Sequence, residues 1–128
     1  QILVVPPPDA ATWAALLAAK ANVATFATQT LSSNGAVTLN ALNSRGGAVT
    51  LAANATSSSI TNGAAGQVLT IEWIQDATGA RTYVWPSNCK FAGGAAPTAS
   101  TTATYRDSVT FRFDGTNWFE TGRAVAVR

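Results

Sequence analysis

Period-two alternation of apolar and polar residues runs through the second half of the chain. Along Val68-Leu69-Thr70-Ile71-Glu72-Trp73-Ile74, Leu69, Ile71 and Trp73 share one face, while Thr70 and Glu72 share the other with Val68 and Ile74. This predicts a strand. Asp76-Ala77-Thr78-Gly79-Ala80 interrupts it with turn residues, and alternation resumes in Arg81-Thr82-Tyr83-Val84-Trp85 until Pro86, so the two runs read as a first hairpin. Downstream, Val109, Phe111 and Phe113 alternate with Thr110 and Arg112, and Asp114-Gly115-Thr116-Asn117 leads into a return strand, Trp118-Phe119-Glu120-Thr121. Asp-Gly between alternating aromatics predicts a second hairpin, because both residues tolerate the positive φ of primed turns. Between the hairpins lies a polar connection with Gly93-Gly94, Pro97 and a Ser/Thr run over 98–104, with room for a short strand around Ala103 to Tyr105.

The first half follows other patterns. Ile2, Leu3, Val4 and Val5 have strand propensity and precede Pro6-Pro7-Pro8, which imposes polyproline geometry. They form either an apolar arm that needs a surface to lie on or a frayed end. Asp9 stands where an N-cap belongs, and Trp13, Leu16, Leu17 and Ala21 follow helical spacing to about Ala21 or Phe26. Alanines surround this helix, which suits burial against other copies or a host surface, or exposed alanines chosen for helix propensity. Over 25–62 the composition shifts to Ala, Thr, Ser, Asn and Val, and Gly35-Ala36-Val37-Thr38-Leu39 returns 12 residues later as Gly47-Ala48-Val49-Thr50-Leu51. The pair reads as a hairpin, as two rungs of a small solenoid-like stalk, or as coincidence in a biased composition. Arg123-Ala124-Val125-Ala126-Val127-Arg128 reads as an edge strand with protective charges. The expected fold class is mainly β: an antiparallel β-sandwich-like module over 63–128, a β-repeat neck over 25–62, and an arm with one N-terminal α-helix over 1–24.

Composition adds an oligomer to this picture. Hydrophobic residues make up 47% of the 128 and charged residues 11%, against roughly 25% charged in an average soluble domain. Either partner subunits cover much of the surface, with a homotrimer as the expected unit, or a Thr/Asn/Ser-rich surface stays soluble without charge. The net charge of +2 comes from scattered residues, Lys20, Arg45, Arg81, Lys90, Arg106, Arg112, Arg123 and Arg128. Phosphate-backbone binding needs clustered cations, so no nucleic-acid partner is expected. No apolar run is long enough to cross a bilayer and no signal segment is evident, so no membrane insertion is expected. The chain begins with Gln1 and holds no Met, so either a start has been removed or this is part of something longer.

The chemistry-bearing residues are few. With no His and only Cys89, the usual general base, the Cys–His pair and the common transition-metal sites are missing from the sequence. Cys89 reads as a small hydrophobe. Of the six acids, Asp9 reads as a cap, Asp76 and Asp114 as turn residues, and Glu72 and Glu120 as members of strand faces; Asp107 completes the set. No catalytic residue, cofactor or metal ligand is expected. Aromatic rings are the remaining binding chemistry: Trp73, Tyr83, Trp85, Tyr105, Phe111, Phe113, Trp118 and Phe119 make a candidate platform for stacking on a sugar, with Asn88, Asp114 and Asn117 as polar contacts, although core packing is the better reading for any one ring. Tyr83 and Trp85, which share a face with Arg81, and Trp118, which shares one with Glu120, are the candidate recognition or packing residues expected to be partly exposed. The turn residues Asp114, Gly115 and Asn117 are singled out with Trp118.

Five motifs carry a resemblance: Gly66-Gln67-Val68-Leu69-Thr70, Gln75-Asp76-Ala77-Thr78-Gly79, Val84-Trp85-Pro86-Ser87-Asn88, Gly93-Gly94-Ala95-Ala96-Pro97-Thr98 and Phe113-Asp114-Gly115-Thr116-Asn117-Trp118. In order and spacing they resemble a module of bacteriophage virion proteins, chiefly tail-fibre and tail-tip proteins, over about the C-terminal half. The resemblance implies a non-enzymatic, trimeric virion component assembled in the host cytoplasm, with other virion proteins and a host-surface glycan as partners. It transfers no catalytic residue. A capsid decoration protein, clamped to the shell by the arm and helix, is the nearest alternative. A sugar-binding module of a secreted enzyme is the third.

Overall fold

The computed structural model describes residues 25–30 and 35–128, and the predicted alternation becomes strands there. The chain is mainly β, with β1 (Thr25–Thr30), β2 (Ala36–Asn40), β3 (Ser44–Leu51), β4 (Ser57–Thr61), β5 (Val68–Gln75), β6 (Cys89–Lys90), β7 (Arg106–Phe113) and β8 (Trp118–Val127). A single 3-10 turn, Ala92–Gly94, is the helical element among the described residues. The arm residues Ile2, Leu3, Val4 and Val5 and the helix residues Trp13, Leu16 and Leu17 lie outside them.

Two sheets form. One has the order β1-β3-β5-β7-β8-β6 and the other pairs β2 with β4. From β1 to β5 the chain alternates between them, and every pairing in this part is parallel. Phe26 pairs with Gly46, Ala36 with Ser57 and Gly46 with Thr70, so the strands stack at intervals of 20 to 24 residues. These are rungs, as in a solenoid. The 12-residue repeat is not the stacking period, however: its copies are β2 and β3, which lie in different sheets. Its effect is to give both strands the same alternation. Val37 and Leu39 of β2 and Val49 and Leu51 of β3 are all buried in one core.

The second hairpin forms as predicted. β7 and β8 pair antiparallel from Phe113 opposite Trp118 outward, and β5 pairs antiparallel with the other side of β7. The first hairpin does not form. β5 is a strand, but its neighbours are β3 and β7, and 81–85 forms no strand. That segment instead runs alongside β4 in the same direction: the Ala55 N–H donates to the Thr82 carbonyl at 2.8 Å, and the Ser58 hydroxyl donates to the Val84 carbonyl. Alternation fixed which side chains turn inward and left the partner strand open. Parallel neighbours separated by a whole rung leave no turn signature between them. The short strand expected around Ala103 to Tyr105 is a turn that leads into β7.

One core crosses the composition change at 62/63. It joins Val37, Leu39, Val49 and Leu51 to Leu69, Ile71, Trp73, Val109, Phe111 and Trp118. Gly46 lets β3 approach β5. Its φ is +140°, and a Cβ there would meet the Thr70 carbonyl oxygen at 1.8 Å. The register between β1 and β3 shifts at this point, where the Ser44 hydroxyl bonds both the N–H and the carbonyl of Gly46.

Candidate functional site

Alternation along β5 and β7 carries two polar residues onto the core side, Gln75 after Trp73 and Asp107 before Val109. Both are buried, so each needs partners for its polar atoms. Asp107 has four. Its carboxylate accepts from the Tyr83 hydroxyl at 2.7 Å, the Ser100 N–H at 2.7 Å, the Ser100 hydroxyl at 2.6 Å and the Ala126 N–H at 2.9 Å. Burial works to raise its pKa, but the donors from Ala126, Ser100 and Tyr83 outweigh burial and hold it below the ordinary carboxylate value. The Gln75 amide donates to the Arg81 and Ser100 carbonyls and accepts from the Arg81 N–H. Together these side chains tie the long connection over 81–105 to the sheet. Gln67 does the same at the other end of β5, donating to the Ala41 and Ser44 carbonyls and accepting from the Ala64 N–H.

The aromatic residues divide by exposure. Trp73 is buried and stacks on Tyr83 with ring centroids 4.9 Å apart, and Trp85 meets Trp73, Tyr83, Phe91 and Phe111 edge to face. Tyr83 and Trp85 are half-buried and packed on the core. The Tyr83 hydroxyl is engaged by Asp107, and burial followed by that carboxylate pushes its pKa up. Trp118 is 1% exposed and stacks on Phe113 at 4.3 Å. The packing role is thus the one its position fits, since a ring this deep offers no face to a sugar. Asn88 stands behind the turn, its side chain donating to the Thr116 carbonyl at 3.2 Å and its carbonyl accepting from the Trp118 N–H at 2.8 Å.

At the turn itself, Asp114 Oδ1 accepts from the N–H groups of Thr116 and Asn117 at 2.8 and 2.7 Å, and Gly115 has φ +103°. These hydrogen bonds, from Asn117 and then Thr116, hold the Asp114 carboxyl below the ordinary value. Asp76 builds the corresponding turn after β5, accepting from Thr78, Gly79 and Arg81. Glu72 pairs with Arg106, and Glu120 pairs with Arg123 while accepting from the Ala92 N–H. Every described carboxylate therefore has a structural partner. Burial pushes the Cys89 thiol up to about 12, so it sits protonated in the core.

The neighbour of Trp118 tells a different story. Phe119 turns outward and is 44% exposed. It stands opposite Arg112 on β7, which in turn stands opposite Val68 on β5. A cleft of about 450 Å³ opens here, lined by Phe119, Arg112, Phe113, Asp114 and Gly66. No family model, curated protein or solved structure matches the chain. Its sites are thus defined by this geometry.

Sequence reasoning brought Asp114, Gly115, Asn117 and Trp118 together correctly as one turn. It placed Tyr83 and Trp85 on a common face, which the structure turns toward the core. It counted Phe119 among eight platform aromatics and passed over its outward placement, although strand alternation puts residue 119 outside whenever Trp118 is inside. It also passed over Gln67 and Gln75 as pins. The signal for Gln75 was present, since it continues the inward series of Leu69, Ile71 and Trp73.

Proposed function

We propose that this chain is a non-enzymatic structural component of a bacteriophage virion, a homotrimer at a fibre or tail with a part in host attachment. The observation that carries the assembly reading is the outer end of β8. Residues 121–127 are exposed along their whole length, with Val125 at 40% and Val127 at 43%, and β6 covers β8 only at Trp118 and Phe119. A strand with an open edge and uncovered apolar side chains invites pairing with another chain. Among so few charged residues, a symmetric trimer that buries such surfaces is the economical solution. In this assembly the antiparallel module over 63–128 projects, and the Ile2 to Val5 arm with the helix around Trp13, Leu16 and Leu17 anchors it to other virion proteins.

Two further observations support the reading. The described acids serve turns, ion pairs and the buried Asp107 network, which favours a scaffold over an enzyme. The motifs behind the virion resemblance fall on structural joints: Gln67, the Asp76 turn, the Asn88 support and the Asp114 turn. The second reading, a capsid decoration protein, is favoured by the apolar run Ile2 to Val5 followed by Pro6-Pro7-Pro8. Labelling the protein on intact particles separates the two. Label on a fibre or tail supports the first, label across the shell supports the second, and unlabelled particles overturn both.

A further inference from the structure

We propose that the cleft beside the β7–β8 turn is a saccharide site, selective for a sugar ring that bears a carboxylate. Its volume, about 450 Å³, lies in the range of about 300 to 1,000 Å³ typical of small-molecule sites. Three groups converge on it. Phe119 supplies an exposed ring held on a strand, and the apolar C–H face of a pyranose is complementary to such a ring. Arg112 supplies a cation directly across the strand pair from it. Arg81, Arg106 and Arg123 each pair with a carboxylate, whereas the Arg112 side chain is exposed and makes no ion pair or hydrogen bond among the described residues. A guanidinium left open beside an aromatic ring presents parallel N–H donors suited to a carboxylate. Asp114 supplies the third group. Its Oδ1 is occupied by the turn, leaving Oδ2 to accept from a sugar hydroxyl.

The walls are pre-organised. Gly66 N–H donates to the Phe113 carbonyl at 2.7 Å, and Phe113 N–H donates to the Gln67 carbonyl at 2.9 Å, so the floor is fixed to the hairpin. Phe113 is held by its stack on Trp118. One unpaired cation lining a cleft beside one carboxylate argues against a nucleic-acid backbone, which needs several cations, and for a ligand offering both an anion and hydroxyls. This site gives the proposed attachment role its ligand class and rests on that role for its setting. The chemistry is testable apart from it.

Calorimetric titration of the 128-residue protein with methyl glucuronide and with methyl glucoside tests the site. The expected result is weak binding of the glucuronide, with the neutral glucoside about tenfold weaker, the size of one charge-assisted contact. Arg112→Gln removes that preference, and Phe119→Ala abolishes binding of both probes while the melting temperature stays unchanged. No binding of either probe, equal binding of both, or binding that survives Phe119→Ala overturns the proposal. Saccharide binding by a protein that labelling does not find on particles keeps the site and discards the virion role. Labelled particles with no saccharide binding discard the site and keep the role.

Discussion

The stacked rungs of β1 to β4 and the antiparallel group of β5, β7 and β8 solve the same problem with different materials. In the rungs, Val37, Leu39, Val49 and Leu51 fill the interior, and short connections at 41–43 and 52–56 carry the chain between sheets whose strands pair 20 to 24 residues apart. In the antiparallel group the interior is filled by Trp73, Phe111 and Trp118, and long connections are fastened by Gln75 and Asp107. Small aliphatic side chains let strands stack closely but gain little burial each. Large rings bury more area apiece but leave a longer chain to be tied down. β5 belongs to both groups, pairing parallel with β3 and antiparallel with β7. The polar pins at its two ends, Gln67 and Gln75, hold the junction.

Substitutions on each side should break the two groups in different ways. The largest effect is expected at Trp118, where Trp118→Ala empties a stacked, buried site and should cost about 3–5 kcal/mol, read as a lowered denaturant midpoint. Retained stability with lost host binding would move Trp118 from packing to recognition. On the rung side, Gly46→Ala should cost about 3 kcal/mol or more, because the methyl meets the Thr70 carbonyl and the residue is forced into a glycine conformation. An unchanged midpoint would mean that β3 and β5 do not pair as described.

Asp107→Asn tests the fastening of the antiparallel group. It puts donors where donors already point and should cost about 2 kcal/mol near neutral pH. Asp107 titrates below the ordinary carboxylate value, so its contribution is complete above about pH 4 and is lost as the pH falls through the folded-state pKa. The stability gap between wild type and Asp107→Asn should therefore narrow below about pH 4. A gap that stays constant in acid would place the stabilisation elsewhere. The smallest effect is expected at the turn, where Gly115→Val should cost about 1 kcal/mol, since φ +103° strains any residue with a Cβ. A midpoint equal to wild type would show that the turn relaxes freely.

Much of this division was legible in the sequence, at the level of faces more than of partners. The period of two in 68–74 and 109–113 placed Leu69, Ile71, Trp73, Val109 and Phe111 inside, and Asp114-Gly115 announced the hairpin, because these signals are local. The parallel stacking of β1, β3 and β5 was not resolved, since a rung closes over 20 or more residues and carries no turn code of its own. The 12-residue repeat pointed to the right strands and the wrong relation between them. Tyr83 and Trp85 were placed on one face, but whether that face looks inward depends on Asp107, 24 residues away from Tyr83. Phe119 stood among the platform aromatics, but its outward placement follows only once its neighbour Trp118 is known to be buried.

The central claim is that this is an assembly subunit whose exposed strand end is covered by other copies. Static light scattering of the 128-residue protein at micromolar concentration tests it most directly. A mass of three times the 13.1 kDa chain is predicted, falling toward one chain when Val125→Glu and Val127→Glu are introduced together. A monomeric mass for the unmodified protein would contradict the account.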